Sequence, residues 1–233
     1  MKERGVTLLE ILIAVSLLSL LSVAMFLAMR IGLNSYIKAD TRLMENRRIA
    51  GAQRILQDEL EGLVPVVAVC AGPGGQPGPR AMFFEGQPDV IRLVSTYSLQ
   101  QAWRGQPEVL ELLVVPGEQN RGVRLVVNET VYTGPTGAGR FCTAPGKFLP
   151  VEATPQSFVL ADKLASCHFA YLSPAPSPLE PPMWKNTWTT ETWPLAVRID
   201  MAPLEPDPGR VQPISVVAPL NLRREPTAVY VDE

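Results

Sequence analysis

The chain contains few of the residues from which catalytic and metal sites are built. Its 233 residues include one histidine, His168, and three cysteines, Cys70, Cys142 and Cys167. This leaves little for a metal site or a histidine-based catalytic triad, and the cysteines lack the Cys-x-x-Cys spacing typical of zinc sites. We therefore expect no metal, no cofactor and no enzymatic activity. His168 lies in an apolar run, where we expect a hydrogen-bonded structural role.

The chain also lacks an excess of charge of either sign. Its 21 Lys and Arg residues against 23 Asp and Glu residues give a net charge of −2. Without a basic field over the molecule, nucleic-acid binding is not expected. The acidic residues Asp200, Glu205 and Asp207 lack the spacing of a calcium-binding loop.

Proline and glycine, by contrast, are abundant, and they exclude an all-helical bundle. The chain has 23 Pro and 17 Gly, above their usual share of roughly 12% of residues. Almost all of them follow Gly62, where short apolar runs between turn residues predict strands. A long helix followed by many strands is an α+β fold, with a β-rich head over residues 63–233. The predicted strands are Val64–Val69, Ala81–Phe84, Val90–Ser95, Val109–Val115, Val123–Val127, Phe158–Leu160, His168–Leu172, Leu195–Met201 and Ile214–Val217.

A long uncharged run stands near the N-terminus. From Ile11 to Met29 no residue is charged, and as a helix this run would span about 28 Å, close to the ~30 Å hydrocarbon core of a bilayer. We expect a single membrane span over about residues 8–29. Lys2 and Arg4 before the run favour a cytoplasmic N-terminus, although basic residues from Arg30 onward reduce the asymmetry.

Three interpretations of this N-terminus compete. The first is a secretory signal peptide cleaved at the small residues Ser22-Val23-Ala24, but the apolar run continues to Met29. The second is a plain signal anchor, which fits the length but leaves Glu10 unexplained, since a carboxylate at the bilayer centre costs up to ~3 kcal/mol. The third interpretation accounts for Glu10.

Residues 2–10, Lys-Glu-Arg-Gly-Val-Thr-Leu-Leu-Glu, resemble the type IV prepilin signal shared by type IV pilins and type II secretion pseudopilins. In that family, a prepilin peptidase removes a short charged leader after a glycine and methylates the new first residue, and a glutamate stands five positions into the mature chain. The resemblance implies that residues 1–5 are the leader, that cleavage follows Gly5 and that Val6 is methylated. Glu10 then falls at the fifth position, and Val6 stands where the family usually has Phe.

The same resemblance implies a role for Glu10 in filament assembly. In the family, this carboxylate neutralises the N-terminal amine of a neighbouring subunit, and the two charges attract strongly where the dielectric is low. Val6 and Glu10 are four residues apart on one helix face, so an intramolecular pair is a second arrangement. In the simplest alternative, Glu10 only reaches toward the lipid headgroups.

The helix is expected to continue beyond the membrane. No proline occurs between Met29 and Gly62, and Gly62 with Pro65 forms a helix stop, so the helix is predicted from about Thr7 to Glu61, within a stem of residues 6–62. Near its end, an apolar stripe is predicted, with charged positions off the stripe. The stripe consists of Ile49, Ala52, Leu56, Leu60 and Leu63, and the charged positions are Arg47, Arg48, Arg54, Asp58 and Glu59.

Small residues recur every four positions inside this helix, at Ala24, Ala28 and Gly32. Such a series lets membrane helices approach closely, but small residues are also simply common in membrane helices. Both interpretations stand. Gly32 and Asn34 are also the positions where we expect the helix to bend.

Three later segments refine the resemblance. Leu164–Leu172, Trp184–Trp188 and Trp193–Ile199 are similar to the aromatic-rich strand, the Trp-containing loop and the closing strand of minor pseudopilin J of type II secretion systems. This implies a pilin-like fold and a structural role in the pseudopilus tip, in contact with other minor pseudopilins and the major pseudopilin. It also implies a single-pass protein of the bacterial inner membrane with a periplasmic head.

Two alternatives remain. One is a minor pilin of a type IV pilus or DNA-uptake filament, which would carry the same leader. The other, of a different class, is a signal-anchored periplasmic binding protein or enzyme.

Two groups of residues in the predicted head have open roles. Cys142 and Cys167 are candidates for a disulfide in an oxidising periplasm, which would leave Cys70 free, although connectivity does not follow from sequence. Three tryptophans form either a subunit-binding patch or a satellite core over the sheet. They are Trp184, Trp188 and Trp193.

Overall fold

The computed structural model describes residues 7–71, 77–98, 103–175, 177, 179–190, 192–205 and 214–220. The predicted cleavage and methylation positions, Gly5 and Val6, and the acidic residue Asp207 lie outside the described residues. The chain comprises two compact units, residues 1–47 and residues 48–233.

One long α-helix, α1, runs from Leu8 to Glu61. This confirms the predicted helix, which continues without interruption through Gly32 and Asn34. In the first unit, every described side chain from Thr7 to Met44 is exposed. In the second unit, the side chains in the last turns of α1 are partly buried. The two parts of the helix therefore lie in different environments.

Gly62 ends α1 because the sheet approaches it closely. Its N–H donates to the carbonyl of Asp58 at 2.9 Å, and its carbonyl accepts from the N–H of Thr96 at 2.9 Å. A Cβ at Gly62 would lie 2.7 Å from Oγ of Ser95, closer than real Cβ contacts allow. The predicted stop is therefore confirmed, and close approach of a strand explains the glycine.

The second unit is rich in β-strands, which confirms the α+β prediction. The first six strands are β1 (Val67–Ala71), β2 (Pro77–Met82), β3 (Glu85–Gly86), β4 (Val90–Ser98), β5 (Trp103–Pro116) and β6 (Val123–Val131). The other six are β7 (Cys142–Ala144), β8 (Lys147–Phe148), β9 (Phe158–Ser173), β10 (Met183–Lys185), β11 (Ala196–Pro203) and β12 (Ile214–Pro219). Short helical pieces occur at Glu118–Asn120, Pro135–Ala138 (α2) and Gly139–Phe141.

Eight of these strands form one antiparallel sheet in the order β12-β11-β9-β6-β5-β4-β3, with β10 also paired to β9. Two small hairpins, β1-β2 and β7-β8, complete the described strands. The predicted strands Phe158–Leu160 and His168–Leu172 are one continuous strand in the structure, β9. The register between β6 and β9 shifts near Leu164, and the preceding Lys163 has a positive φ of 55°. The two predicted segments are therefore joined by an irregular residue that does not end the strand.

The last turns of α1 cover one face of the sheet. Leu56 and Leu60 are fully buried, and they belong to a core cluster with alternate residues of the strands. On β4, for example, Ile91 and Leu93 point into this cluster, as the two-residue repeat of a strand requires. The predicted stripe is confirmed for its buried members, Ala52, Leu56, Leu60 and Leu63.

Glu59 departs from the prediction. It was expected to lie off the apolar stripe, but it is 0% exposed. The reason is the width of the buried face, since position 59 lies three residues after Leu56 and seven after Ala52 and therefore shares their side of the helix.

The opposite face of the sheet is covered by β1, β2 and the segment around α2. A second cluster joins Val94 of β4 and Val109 of β5 to buried residues of this cover. The cover is also cross-linked, because Cys70 and Cys142 form a disulfide. The predicted pairing of Cys142 with Cys167 is therefore wrong.

The sheet itself separates the predicted cysteine partners. Cys167 is a free, buried cysteine and belongs to the cluster on the helix-covered face. Cys70 and Cys142 belong to the cluster on the opposite face. This placement depends on which way each strand residue points, and cysteine spacing carries no such information.

A fully buried arginine, Arg92, lies on the face of the sheet opposite the helix. It ties the cover formed by β1, β2 and the segment around α2 to the sheet. The side chain of Arg92 is 1% exposed, with Nε 2.7 Å from Oε1 of Glu111 and Nη1 2.7 Å from Oε2 of Glu85. Its Nη2 also donates to the carbonyl of Leu149 at 2.8 Å, and Nη1 lies 3.4 Å from the carbonyl of Phe141. Burial raises the pKa of Glu85, and the Arg92 charge opposes that shift. One side chain thus binds two strands and two points of the covering segment.

We predict that Arg92→Met lowers the free energy of unfolding by about 3–5 kcal/mol, because the carboxylates of Glu85 and Glu111 would remain in the interior without their cation. The matched control is Arg198→Met, since Arg198 forms an ion pair with Asp200 at 2.8 Å but is one-third exposed. Its loss should change stability by about 0–1 kcal/mol. Denaturant unfolding of the full chain in detergent measures both. Equal effects of the two substitutions would contradict the assigned role of Arg92.

We also predict that replacing both Cys70 and Cys142 by Ser lowers stability by about 4 kcal/mol in the chain-entropy account of disulfides, since they are 72 residues apart. Cys167→Ala is the control and keeps the cross-link. Peptide mass mapping without reductant should recover Cys70 linked to Cys142. A linked peptide that contains Cys167 would refute this pairing.

Candidate functional site

The N-terminal end of α1 is closed by Thr7. The N–H of Glu10 points at Oγ1 of Thr7, with a distance of 3.3 Å, and is 3.1 Å from the Thr7 carbonyl. Thr7 therefore acts as the N-cap and Glu10 occupies the third helical position, which is the Thr-x-x-Glu arrangement of a capping box. The signature is visible in the sequence as Thr7-Leu8-Leu9-Glu10.

This position makes Glu10 an available anion at the start of a helix. Its side chain is exposed, and a negative charge in the first turn is stabilised by the helix dipole. Within the described residues, its carboxylate has no ionic or hydrogen-bonded partner. A carboxylate so placed can accept a cation or an amine from outside the chain.

The helix that follows Glu10 can cross a membrane by its length and composition. Its serine hydroxyls are satisfied within the helix itself, because Ser16, Ser19 and Ser22 donate to carbonyls three or four residues earlier at 2.8 Å. No serine donor in this run therefore needs water, which is what an apolar medium requires. The small residues Ala24 and Gly32 lie along this exposed helix, and a Cβ at Gly32 would meet nothing within 4 Å.

The predicted tryptophans separate into two environments. Trp188 and Trp193 are buried and belong to the main core under α1, not to a satellite of it. The ring of Trp193 lies 5.5 Å from that of Phe84, and Trp188 donates from Nε1 to the Thr192 carbonyl at 2.6 Å. Trp184 is 36% exposed and therefore does not join them.

Trp184 lies instead on the outer side of the sheet, with the guanidinium carbon of Arg198 4.6 Å from its ring centre. Asp200 accepts from Arg198 and from the Ser215 hydroxyl at 2.8 and 2.7 Å. His168 is paired with Asp200 across β9 and β11, but its side chain is exposed and has no hydrogen bond in the described part of the chain. The expected structural hydrogen bond of His168 is therefore wrong, because the residue faces away from the core.

Within the residues that the structure describes, no group of three or more His, Cys, Asp or Glu side chains is arranged to hold a metal ion. The burial of four charged residues was not predicted from the sequence: Glu59, Arg92, Glu108 and Glu111. A signal for Arg92 did exist, since Arg92 and Glu111 each stand between two apolar residues of their strand.

The comparison with protein families agrees with the interpretation of the N-terminus. Residues 1–26 match a protein-family model described as the prokaryotic N-terminal methylation motif. No curated protein matches the chain. The matched residues contain Gly5, Val6, the Thr7 cap and Glu10. The chain therefore carries a type IV prepilin-like signal at the start of an apolar helix, which supports a membrane-anchored protein of the pilin or pseudopilin type.

Proposed function

We propose that this chain is a structural, non-enzymatic subunit of a filament of the type IV pilus class, and specifically a minor pseudopilin of a type II secretion system. In this role it belongs to the tip complex that primes the pseudopilus for protein export. The observation that carries the proposal is the register of Gly5, Val6 and Glu10 with an apolar helix, inside the segment that matches the methylation motif.

Processing by the prepilin peptidase would leave the helix intact. Leu8 is the first helical residue and Thr7 is its cap. Cleavage after Gly5 removes residues 1–5 and retains the cap, with Val6 as the new methylated N-terminus. The mature chain then consists of a stem, residues 6–62, with a membrane span over about residues 8–29, and a head, residues 63–233.

Glu10 would act in assembly as the partner of an N-terminal amine. The amine of a neighbouring subunit would satisfy a carboxylate that has no partner among the described residues, and each group would remove the other's penalty for leaving water. Helix packing in the membrane would bring the two together, with Ala24, Ala28 and Gly32 as the close-approach face. The partners are other minor pseudopilins and the major pseudopilin.

Two features of the head support this placement and the J-type assignment. The Cys70–Cys142 disulfide is typical of proteins in oxidising compartments such as the periplasm, which agrees with a cytoplasmic N-terminus and a periplasmic head at the inner membrane. The segments that resemble minor pseudopilin J also lie together, because β9 pairs with β10 and β11. A resemblance spread over three segments is thus concentrated in one region of the sheet.

We predict that the protein from native membranes begins at Val6 and carries one added methyl group. Intact and N-terminal peptide mass spectrometry measures this directly, and Gly5→Val, which removes the residue before the cleavage point, should leave residues 1–5 attached. A start at Met25 would mean a secreted protein. A start at Met1 in the wild type would mean a plain anchor, as in a signal-anchored binding protein or enzyme, and either start would overturn the proposal.

We further predict that Glu10→Val leaves membrane insertion intact but lowers co-purification of the other filament subunits at least about tenfold, which corresponds to 1.4 kcal/mol. Glu10→Gln tests the charge alone: the Thr7 cap accepts from the backbone N–H of residue 10 and is retained in every variant, and Gln keeps the size and polarity of the side chain but cannot neutralise an amine. It should fail like Glu10→Val, whereas Glu10→Asp should retain part of the function. Wild-type co-purification in Glu10→Gln would exclude the charge role.

The same variants distinguish the two filament types. Loss of protein export in Glu10→Val cells supports a pseudopilin. Loss of surface pili or DNA uptake with normal export would instead assign the chain to a type IV pilus or uptake filament.

A further inference from the structure

Three glutamates from three elements meet beneath the last turns of α1. Glu59 comes from the helix, Glu108 from β5 and Glu129 from β6. Glu108 is paired with Ser95 of β4, and Glu129 is paired with Leu110 of β5. Paired residues of an antiparallel sheet share a face, and Leu110 belongs to the core covered by the helix. All three carboxyls are therefore on the side of the sheet where α1 docks.

Glu59 is the most deeply placed member of this cluster. It is fully buried, and neither of its carboxyl oxygens has a hydrogen-bond partner in the described part of the chain. The hydroxyl of Ser95 donates to the backbone carbonyl of Glu59 at 2.9 Å and is thus engaged with the main chain. An ionised carboxylate without a partner is strongly unfavourable in such a place.

Among the described residues, the charged groups that act on Glu59 are carboxyls. Burial, which is the largest cause, and the charges of neighbouring carboxyls together raise the pKa of Glu59 from 4.5 to about 9, and the nearby Ser95 hydroxyl opposes the shift. The carboxyls that act on it come from β6, β5 and its own helix: Glu129, Glu108 and Asp58.

Glu108, on β5, also holds negative charge poorly. Glu108 is nearly buried, and burial together with the Glu129 charge raises its pKa. A side-chain interaction with Glu129 adds to this rise in the pKa of Glu108, and the Ser98 hydroxyl opposes it. The Ser98 hydroxyl donates to Oε2 of Glu129 at 3.1 Å. The surroundings of Glu59 and Glu108 therefore favour the neutral form of each of these two carboxyls.

Hydrogen bonds to β4 hold the helix end above this cluster. Gly62 is bonded to Thr96 at 2.9 Å and Val64 to Val94 at 2.8 Å, and the Ser95 hydroxyl donates to the Glu59 carbonyl. The remainder is apolar packing of residues such as Leu60. Charging Glu59 would require either water beneath the helix or movement of its carboxyl outward, and both oppose this packing.

We propose that Glu59, with Glu108 and Glu129, is a proton switch that keeps the last turns of α1 docked on the sheet only while Glu59 is protonated. When the helix end is docked, the proton is held within the core. When the helix end opens, Glu59 reaches water and releases the proton at neutral pH. Rising pH therefore favours the open state and falling pH the docked state. This inference concerns the second unit alone and does not depend on the filament role.

The direction follows from proton linkage. Glu59 in contact with water titrates near 4.5, whereas docked Glu59 titrates near 9. Because the docked state binds the proton more tightly, docking is fully stabilised below the lower value and weakens as pH rises through the interval between them. Opening can increase at most tenfold per pH unit in this interval, since one proton is released.

Hydrogen exchange of the full chain in detergent tests the switch. We expect the protection factors of amides in residues 55–62, corrected for the intrinsic effect of pH on exchange, to fall at least about tenfold between ~pH 5 and ~pH 8. Amides of β9, in the same core, serve as an internal reference and should change much less. Equal protection of residues 55–62 at both pH values would overturn the proposal.

Two substitutions on the same helix turn separate the switch from general charge effects. Glu59→Gln removes the titrating group and should make the protection of residues 55–62 independent of pH. Asp58→Asn is the matched control, because Asp58 is the last of the carboxyls that act on Glu59, and this variant should retain the wild-type pH dependence. A pH dependence that persists in Glu59→Gln would refute the role of Glu59.

The wild type provides a test that needs no variant. Infrared spectra at neutral pH should contain a protonated-carboxyl band, and this band should vanish together with the loss of protection as pH rises. If Glu59→Gln fails to fold, Glu108→Gln should lower the pKa of docked Glu59 by removing a nearby negative charge, so that the protonated-carboxyl band vanishes at lower pH than in the wild type. An absent band, or an unshifted profile in Glu108→Gln, would contradict the proposal.

Discussion

A β-sheet with apolar side chains on both faces is stable only when both faces are removed from water, and this constraint organises the head of the protein. The two faces are covered by different means. On one face, the last turns of α1 bring Leu56 and Leu60 onto the sheet. On the other, β1, β2 and the segment around α2 form the cover. The Cys70–Cys142 disulfide and the bonds of Arg92 tie this second cover together and to the sheet.

Each face of the sheet has a buried ionisable residue, and the surroundings of the two residues differ. Arg92 lies between two carboxylates and backbone carbonyls, so its positive charge is matched by nearby acceptors. Glu59 lies among carboxyls and has no hydrogen-bond partner within the described residues. A matched buried charge fixes one arrangement, because every alternative leaves it unpaired. An unmatched carboxyl stays buried only as the neutral acid, and this makes the contact of α1 with the sheet sensitive to protons.

The helix α1 also shows how one element meets two solvents. Near its start, apolar side chains are exposed along the whole circumference, and the serine hydroxyls bond to the helix's own carbonyls. Near its end, a single face is apolar and is buried against strands. The first pattern suits a lipid environment, where hydrocarbon surrounds the helix on all sides, and the second suits a helix between a core and water.

The sequence by itself determined the elements that depend on local patterns. These include the uncharged run, the prepilin-like signal, the length of α1, its stop at Gly62 and most strands, since each follows from the residues nearest to it. Only the tertiary structure decided which face of a strand or helix each side chain occupies. Cys167 and Cys142 lie on opposite sides of the sheet, and the side chain of His168 is exposed. Glu59 and Arg92 are buried. These outcomes depend on contacts between residues that are distant in the chain. A shift of one residue along a strand or helix changes whether a side chain contacts a partner, the core or water.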